Sequence, residues 1–155
     1  MNLKIKFRES FRPFAPVVLE EYADQWFKIK NKNKYMLMTY FLNDEKKIKN
    51  QKKEKGLDKI KNLYSLVPAV THVDYSARVQ ILDKKFKEKL YDIISLFNKK
   101  TNIPMLINTS FNIRGEPIVN TVHNALKCFM NTDMDVLVLE DFILLKENQP
   151  KNLLV

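Results

Sequence analysis

Two glycines, one cysteine, one tryptophan and two histidines are all that this 155-residue sequence holds of those types, and the shortages exclude several kinds of protein. With only Gly56 and Gly115, no Walker or Rossmann glycine pattern exists, so any nucleotide has to be held by side chains and strand-end amides. Cys128 alone permits neither a disulfide framework nor Cys/His zinc spacing; it falls on the apolar face of an expected helix and reads as a buried thiol. No apolar run approaches the roughly 18 residues of a membrane helix. Met1-Asn-Leu-Lys-Ile-Lys6 has no signal-peptide hydrophobic segment. No nucleophile elbow accompanies the Ser, His and Asp residues. A cytoplasmic protein without membrane attachment is expected.

What is present fits one globular domain over residues 1–155: the chain is 45% hydrophobic and 11% aromatic. The net charge of +9 overstates any nucleic-acid signal. Asn43–Asn62 holds eight lysines against four acids and reads as a lysine-rich surface insertion. The remaining charge suits a polyanionic ligand without separating a nucleotide from RNA.

Leu3–Phe7 alternates apolar and basic residues, the period of a half-buried strand. Val17–Leu19 is a short apolar run, Glu20–Phe27 a brief helix, and Tyr35–Leu42 strand-like. Val67–Val70 and Ala77–Leu82 read as strands flanking a polar stretch, Thr71–Ser76. Asp83 is placed to cap a helix from Lys84 to about Asn98, with Phe86, Leu90, Ile93, Ile94 and Phe97 on one face. Ile103–Ile107 is a buried strand. Thr121 caps a second helix carrying Val122, Ala125, Leu126, Phe129 and Met130 at helical spacing. Asp135–Leu139 and Phe142–Leu145 close the chain as strands around an acidic turn. The order predicts an α/β domain with a mixed sheet.

Three polar clusters stand out. Lys6 and Arg8, with Glu9 and Arg12 nearby, would share a strand face about 7 Å apart, a separation that suits a phosphate chain and equally an exposed basic face. In the second, His72 and Asp74 have the spacing of an acid–base pair and equally of two surface residues. There Arg78 interrupts an apolar strand, so it either meets solvent or has an anion partner. The third cluster, Asn108, Thr109, Ser110, Asn112 and Arg114, lies directly past a strand end, where open α/β sheets place ligands.

Together the clusters carry a resemblance. Lys6-Phe-Arg-Glu-Ser-Phe-Arg-Pro-Phe-Ala-Pro16, Pro68-Ala-Val-Thr-His-Val-Asp-Tyr-Ser-Ala-Arg-Val-Gln80, Asn108-Thr-Ser-Phe-Asn-Ile-Arg-Gly-Glu-Pro-Ile-Val119 and the later Cys128–Leu139 stretch resemble, in order, the C-terminal domain of carbamoyltransferases of the nodulation and antibiotic-tailoring type. That domain is itself similar to the YrdC-type fold, in which a Lys-x-Arg and a Ser-x-Asn element bind nucleotide; Lys6/Arg8 and Ser110/Asn112 occupy those positions.

The resemblance implies a twisted mixed sheet with flanking helices around a basic cavity. It implies a domain that uses ATP, with Mg2+, and carbamoyl phosphate to make carbamoyl-adenylate. A separate N-terminal actin/Hsp70-like domain, supplied in trans and holding iron or another catalytic metal, passes the carbamoyl group to a hydroxyl acceptor. Lys6, Arg78 and Ser110 are then catalytic; Arg8, Arg12, Asn108, Thr109, Asn112 and Arg114 bind the nucleotide; no metal ligand is expected in this chain. A homodimer is compatible with the resemblance and nucleic acid is disfavoured. Tyr75 departs from a small residue in the family pattern, and Val122-His123 from a Pro-acidic pair. A basic RNA-binding module of the same fold and a catalytically inactive remnant are the competing readings.

Overall fold

Ala15–Leu19 has no charged or hydrogen-bonding side chain, and all five residues are buried in β1, the middle strand of a three-stranded sheet. One neighbour, β4 (Gln80–Leu82), runs parallel with Val18 opposite Ile81; the other, β5 (Met105–Asn108), runs antiparallel with Val17 opposite Leu106. Successive side chains of a strand point to opposite faces. Val18 accordingly enters one apolar cluster, with Phe27, Leu42, Ala77, Val79 and Ile81, while Val17 and Leu19 enter a second with Leu82 and Ile94.

The computed structural model describes residues 1–48, 65–85 and 88–150. These form a small α/β chain with a mixed sheet and three α-helices, divided into two compact units. One is Pro13–Thr109; the other joins the chain's two ends, Met1–Arg12 and Ser110–Val155.

In the unit Pro13–Thr109, α1 (Glu20–Trp26) follows β1 directly, as expected. A separate antiparallel pair joins β2 (Thr39–Phe41) to β3 (Ser76–Arg78), with Tyr40 opposite Ala77. The expected Tyr35–Leu42 strand is therefore shorter. Asn33 Oδ1 accepts from the Tyr35 and Leu37 amides at 2.8 and 3.4 Å, and Met36 has φ +54°, so a side-chain-stabilised turn replaces the strand's start. The Ala77–Leu82 run is split between two sheets at the buried Val79, with β3 pairing β2 and β4 pairing β1. Pro68–Val70 is a 3-10 turn rather than a strand, consistent with proline at its first position.

The helix α2 spans Glu88–Thr101. Its buried stripe is narrower than the expected face: Ile94 is fully buried and Leu90 packs beside it, but Ile93 and Phe97 are 55% and 36% exposed. Residues four apart stack on one helical face, whereas adjacent ones diverge by about 100°. Phe86 lies outside the described residues. Asp83 pairs with Lys34, and residues 86 and 87, at the start of the helix it is expected to cap, lie outside the described residues. Of the lysine-rich segment, residues 49–62 also lie outside the described residues. Its beginning is a 3-10 turn, Asp44–Lys46, with the Lys46 ammonium 4.7 Å over the Trp26 ring and that of Lys47 4.9 Å over Tyr75.

In the unit of the two chain ends, α3 (Val122–Met130) begins as expected, with Thr121 Oγ1 accepting from the Asn124 amide at 3.1 Å. β6 (Val136–Leu139) and β7 (Phe142–Leu145) form the expected hairpin around Glu140 and Asp141. Ala125, Phe129 and Leu137 are its buried core. Lys146 closes the helix end: its ammonium donates to the Phe129 and Thr132 carbonyls and lies 4.3 Å over the Phe129 ring.

Candidate anion site

The N-terminal segment reverses its expected pattern. Leu3–Phe7 is not a strand: the Ile5 and Lys6 amides both donate to Met1 O, the Arg8 amide donates to Asn2 O, and Phe7 sits at φ +47°. Leu3 and Phe7 are 65% and 44% exposed, whereas Lys6 is only 6% exposed. A buried ammonium requires oxygens to replace its water. Lys6 Nζ finds them in the loop after β5, donating to Ser110 O at 2.7 Å, Asn112 O at 2.6 Å and Asn112 Oδ1 at 2.7 Å. Ser110 Oγ lies farther, at 3.3 Å. Three short contacts match the three protons of an ammonium.

The loop fixes itself further. Ser110 Oγ donates to Asn112 Oδ1 at 2.6 Å, and Asn112 Nδ2 donates to Glu116 O at 2.9 Å. The turn between them needs Gly115, at φ +85°, a region that side-chain-bearing residues disfavour. Thus both chain ends build one polar wall.

That wall lines a cavity of about 220 Å³ together with Arg8, Glu9, Arg12, Ile113, Arg114 and Gly115. Four cationic side chains face it against one carboxylate, Glu9, whose Oε2 forms an ion pair with Arg12 at 3.0 Å. The contact is an ion pair without a directed hydrogen bond. Burial, and then the Arg8 guanidinium, pulls the Lys6 ammonium below its ordinary range; burial, then Arg12, does the same to Arg8. The Glu9 carboxyl is held below the usual carboxylate range by its own backbone amide and by Arg12. Cations placed this close repel one another, and an anion with several oxygens relieves that repulsion on binding.

Of the expected site residues, Lys6, Arg8, Arg12, Ser110, Asn112 and Arg114 therefore meet at one cavity within one unit. Arg78, Asn108 and Thr109 belong to the other unit. There Arg78 is exposed on β3. Asn108 Nδ2 donates to Gln80 Oε1 at 2.5 Å, and Thr109 is exposed. Asp74, one of the two residues with acid–base spacing, is engaged by Ser76. Asp74 Oδ1 accepts from the Ser76 amide at 2.9 Å and its hydroxyl at 2.7 Å, bonds that lower the carboxyl's pKa before any effect of His72. His123 is exposed, and Cys128 is buried as expected, with burial raising its thiol's pKa.

Sequence reasoning missed Asn2. It is 8% exposed, and its side chain touches Arg8 and two carbonyls of the cationic loop. Apolar periodicity carries no signal for an amide whose partners are backbone groups.

A family model described as Carbamoyltransferase C-terminus matches residues 1–146. The chain belongs to that family. An uncharacterized protein of Synechocystis is 45% identical over 97% of the chain, and the nodulation protein NolO of Bradyrhizobium diazoefficiens is 36% identical over 94%. The nodulation protein NolNO of Sinorhizobium fredii is also 36% identical over 94%. The chain covers 25%, 24% and 19% of those three relatives, about a quarter of their length or less. The motif resemblance to the carbamoyltransferase C-terminal domain is thus matched along nearly the whole chain. Among the described residues of this family member, no helix is long and apolar enough to cross a membrane.

Proposed function

We propose that this chain is the carbamoyl-adenylate-forming part of a carbamoyltransferase, acting on ATP and carbamoyl phosphate. The observation that carries the reading is the buried Lys6 joined to Ser110 and Asn112, beside Arg8, Arg12 and Arg114, at one cavity. Both substrates are polyanions, so cations have to offset their repulsion. Carbamate, released from carbamoyl phosphate by water with loss of phosphate, attacks the α-phosphorus of ATP. An O–P bond forms, the α–β P–O bond breaks, and its electron pair leaves on pyrophosphate. Mg2+ enters with the nucleotide.

Because the protons of Lys6 are taken by Ser110 and Asn112, Lys6 acts through its charge and through the loop it holds. Arg8, Arg12 and Arg114 supply guanidinium donors to phosphate oxygens. The family resemblance further assigns Arg78 a catalytic role, and Asn108 and Thr109 nucleotide binding. The finer fold likeness, to the YrdC type, belongs to the same reading and is supported by the mixed sheet and the basic cavity. So do a cytoplasmic location and transfer to the acceptor by an N-terminal domain in trans, holding the iron or other metal.

Pyrophosphate release from ATP and carbamoyl phosphate tests it. Ser110→Ala removes one hydroxyl and is expected to slow release by about 10²-fold. Arg78→Lys retains charge but loses the planar fork, so turnover should still fall. Thermal melts should match the unmodified chain in both. Unaltered release in both variants would remove these residues from the site; absence of ATP binding by the unmodified chain would favour the RNA-binding or inactive reading.

A further inference from the structure

The cationic loop that lines the cavity is held from behind by one neutral side chain. Asn2 Oδ1 accepts from Arg8 Nε at 2.8 Å, while Asn2 Nδ2 donates to Arg12 O at 2.7 Å and Ser10 O at 3.2 Å. The Asn2 backbone adds a fourth tie, its carbonyl accepting from the Arg8 amide at 3.1 Å. At 8% exposure, these bonds face little competition from water.

We infer that Asn2 is a positioning residue, which sets the direction of the Arg8 guanidinium toward a bound polyphosphate while leaving its charge undiminished. The proposal rests on the cavity being an anion site, as the proposed function has it, but not on carbamoyl-adenylate formation. Its chemistry follows from the functional groups. A guanidinium is a planar fork, and fixing Nε fixes the plane in which its terminal nitrogens lie. Only a side-chain amide offers an acceptor for Nε and donors for two carbonyls together. A carboxylate there would accept from Arg8 but leave Ser10 O and Arg12 O without side-chain donors. It would also place an anion against a cation that the cavity needs. Residues supporting a functional group from outside the ligand shell hold it within a fraction of an ångström of its working position.

The test is a double-mutant cycle on the full chain, with inorganic tripolyphosphate as probe and calorimetric affinity as readout. Asn2→Ala should weaken binding by about tenfold, the lower end of the cost of losing an outer-shell partner. In an Arg8→Ala background the same change should cost nothing further, because the group it orients is gone. Asn2→Asp, which keeps the volume, should weaken binding with a melting temperature near that of the unmodified chain. Equal losses from Asn2→Ala in both backgrounds would show general loosening of the loop and overturn the inference. Unchanged affinity in Asn2→Ala, or no tripolyphosphate binding by the unmodified chain, would overturn it too. Pyrophosphate release failing in all variants while the cycle stays non-additive would reject the proposed reaction and leave Asn2 in its role.

Discussion

Among the described residues, the unit Pro13–Thr109 buries thirteen residues in one apolar cluster around β1 and four in another, whereas the apolar cluster of the unit of the two chain ends holds Ala125, Phe129 and Leu137 as its buried members. The thinner core is offset by polar ties of long sequence reach: Lys6 to Ser110 and Asn112, and Asn2 to Arg8 and Arg12. Buried hydrogen-bonded charges contribute less to stability than apolar packing does, but they fix geometry closely. The contrast teaches a division of labour. The apolar unit is a folding scaffold, and the polar unit holds its cations in place at some cost in stability.

The hardest blow to that contrast is Phe129→Ala. Phe129 is fully buried among three core residues, and its loss should cost about 3–5 kcal/mol, read from chemical denaturation. Amide exchange should accelerate in α3 while Val17–Leu19 stay protected; the reverse is expected for Phe27→Ala. Equal acceleration in both units from either change would dissolve the comparison. A milder loss should follow Gly115→Ala. Nothing stands within 4 Å of the added carbon, so the cost is the strain of φ +85° alone, about 1–2 kcal/mol. Gly115→Asn, which tolerates that region better, should recover part of it, and a denaturation midpoint unmoved by either change would contradict the assigned turn.

The smallest effect lies in the other unit. Lys28 and Lys47 hold the Asp44 carboxyl down at about 2, and both contact it, at 2.7 and 2.5 Å. A folded-state pKa below the unfolded value gives a contribution present above about 3.8 and lost as pH falls toward 2. The group is exposed and screened, so NMR titration of the carboxyl is the suitable measurement. Lys28→Ala should move the midpoint upward, and a higher ionic strength should do so in the unmodified chain.

Much of the fold was legible where its elements are cleanly patterned. The buried run in β1, the Thr121 cap of α3 and the apolar β6–β7 pair were each readable from side-chain type and spacing. Failures came where a side chain took over backbone bonding. Asn33 turned the start of an expected strand, and Asn2 bound the Ser10 and Arg12 carbonyls just past the segment read as the first strand. A period of two over five residues also fits a series of turns, and in this segment Leu3 and Phe7 face out while Lys6 faces in. The residues lining the candidate cavity were legible in part, through the Lys6/Arg8 and Ser110/Asn112 motifs. Its geometry was not, because the bond from Lys6 to Asn112 joins positions 106 apart, and nothing local encodes it.

That separation has a meaning in time as well as in space. Lys6 and the Ser110 carbonyl stand 104 positions apart. A ribosome adding roughly 5–20 residues each second needs roughly 5–20 seconds to cover such a stretch. For that interval the cationic N-terminal segment exists without the oxygens that later surround its ammonium, while the sheet strands around β1 emerge between the two. The candidate cavity is consequently a property of the joined chain ends. No N-terminal fragment that stops short of Ser110 contains it, however well that fragment folds.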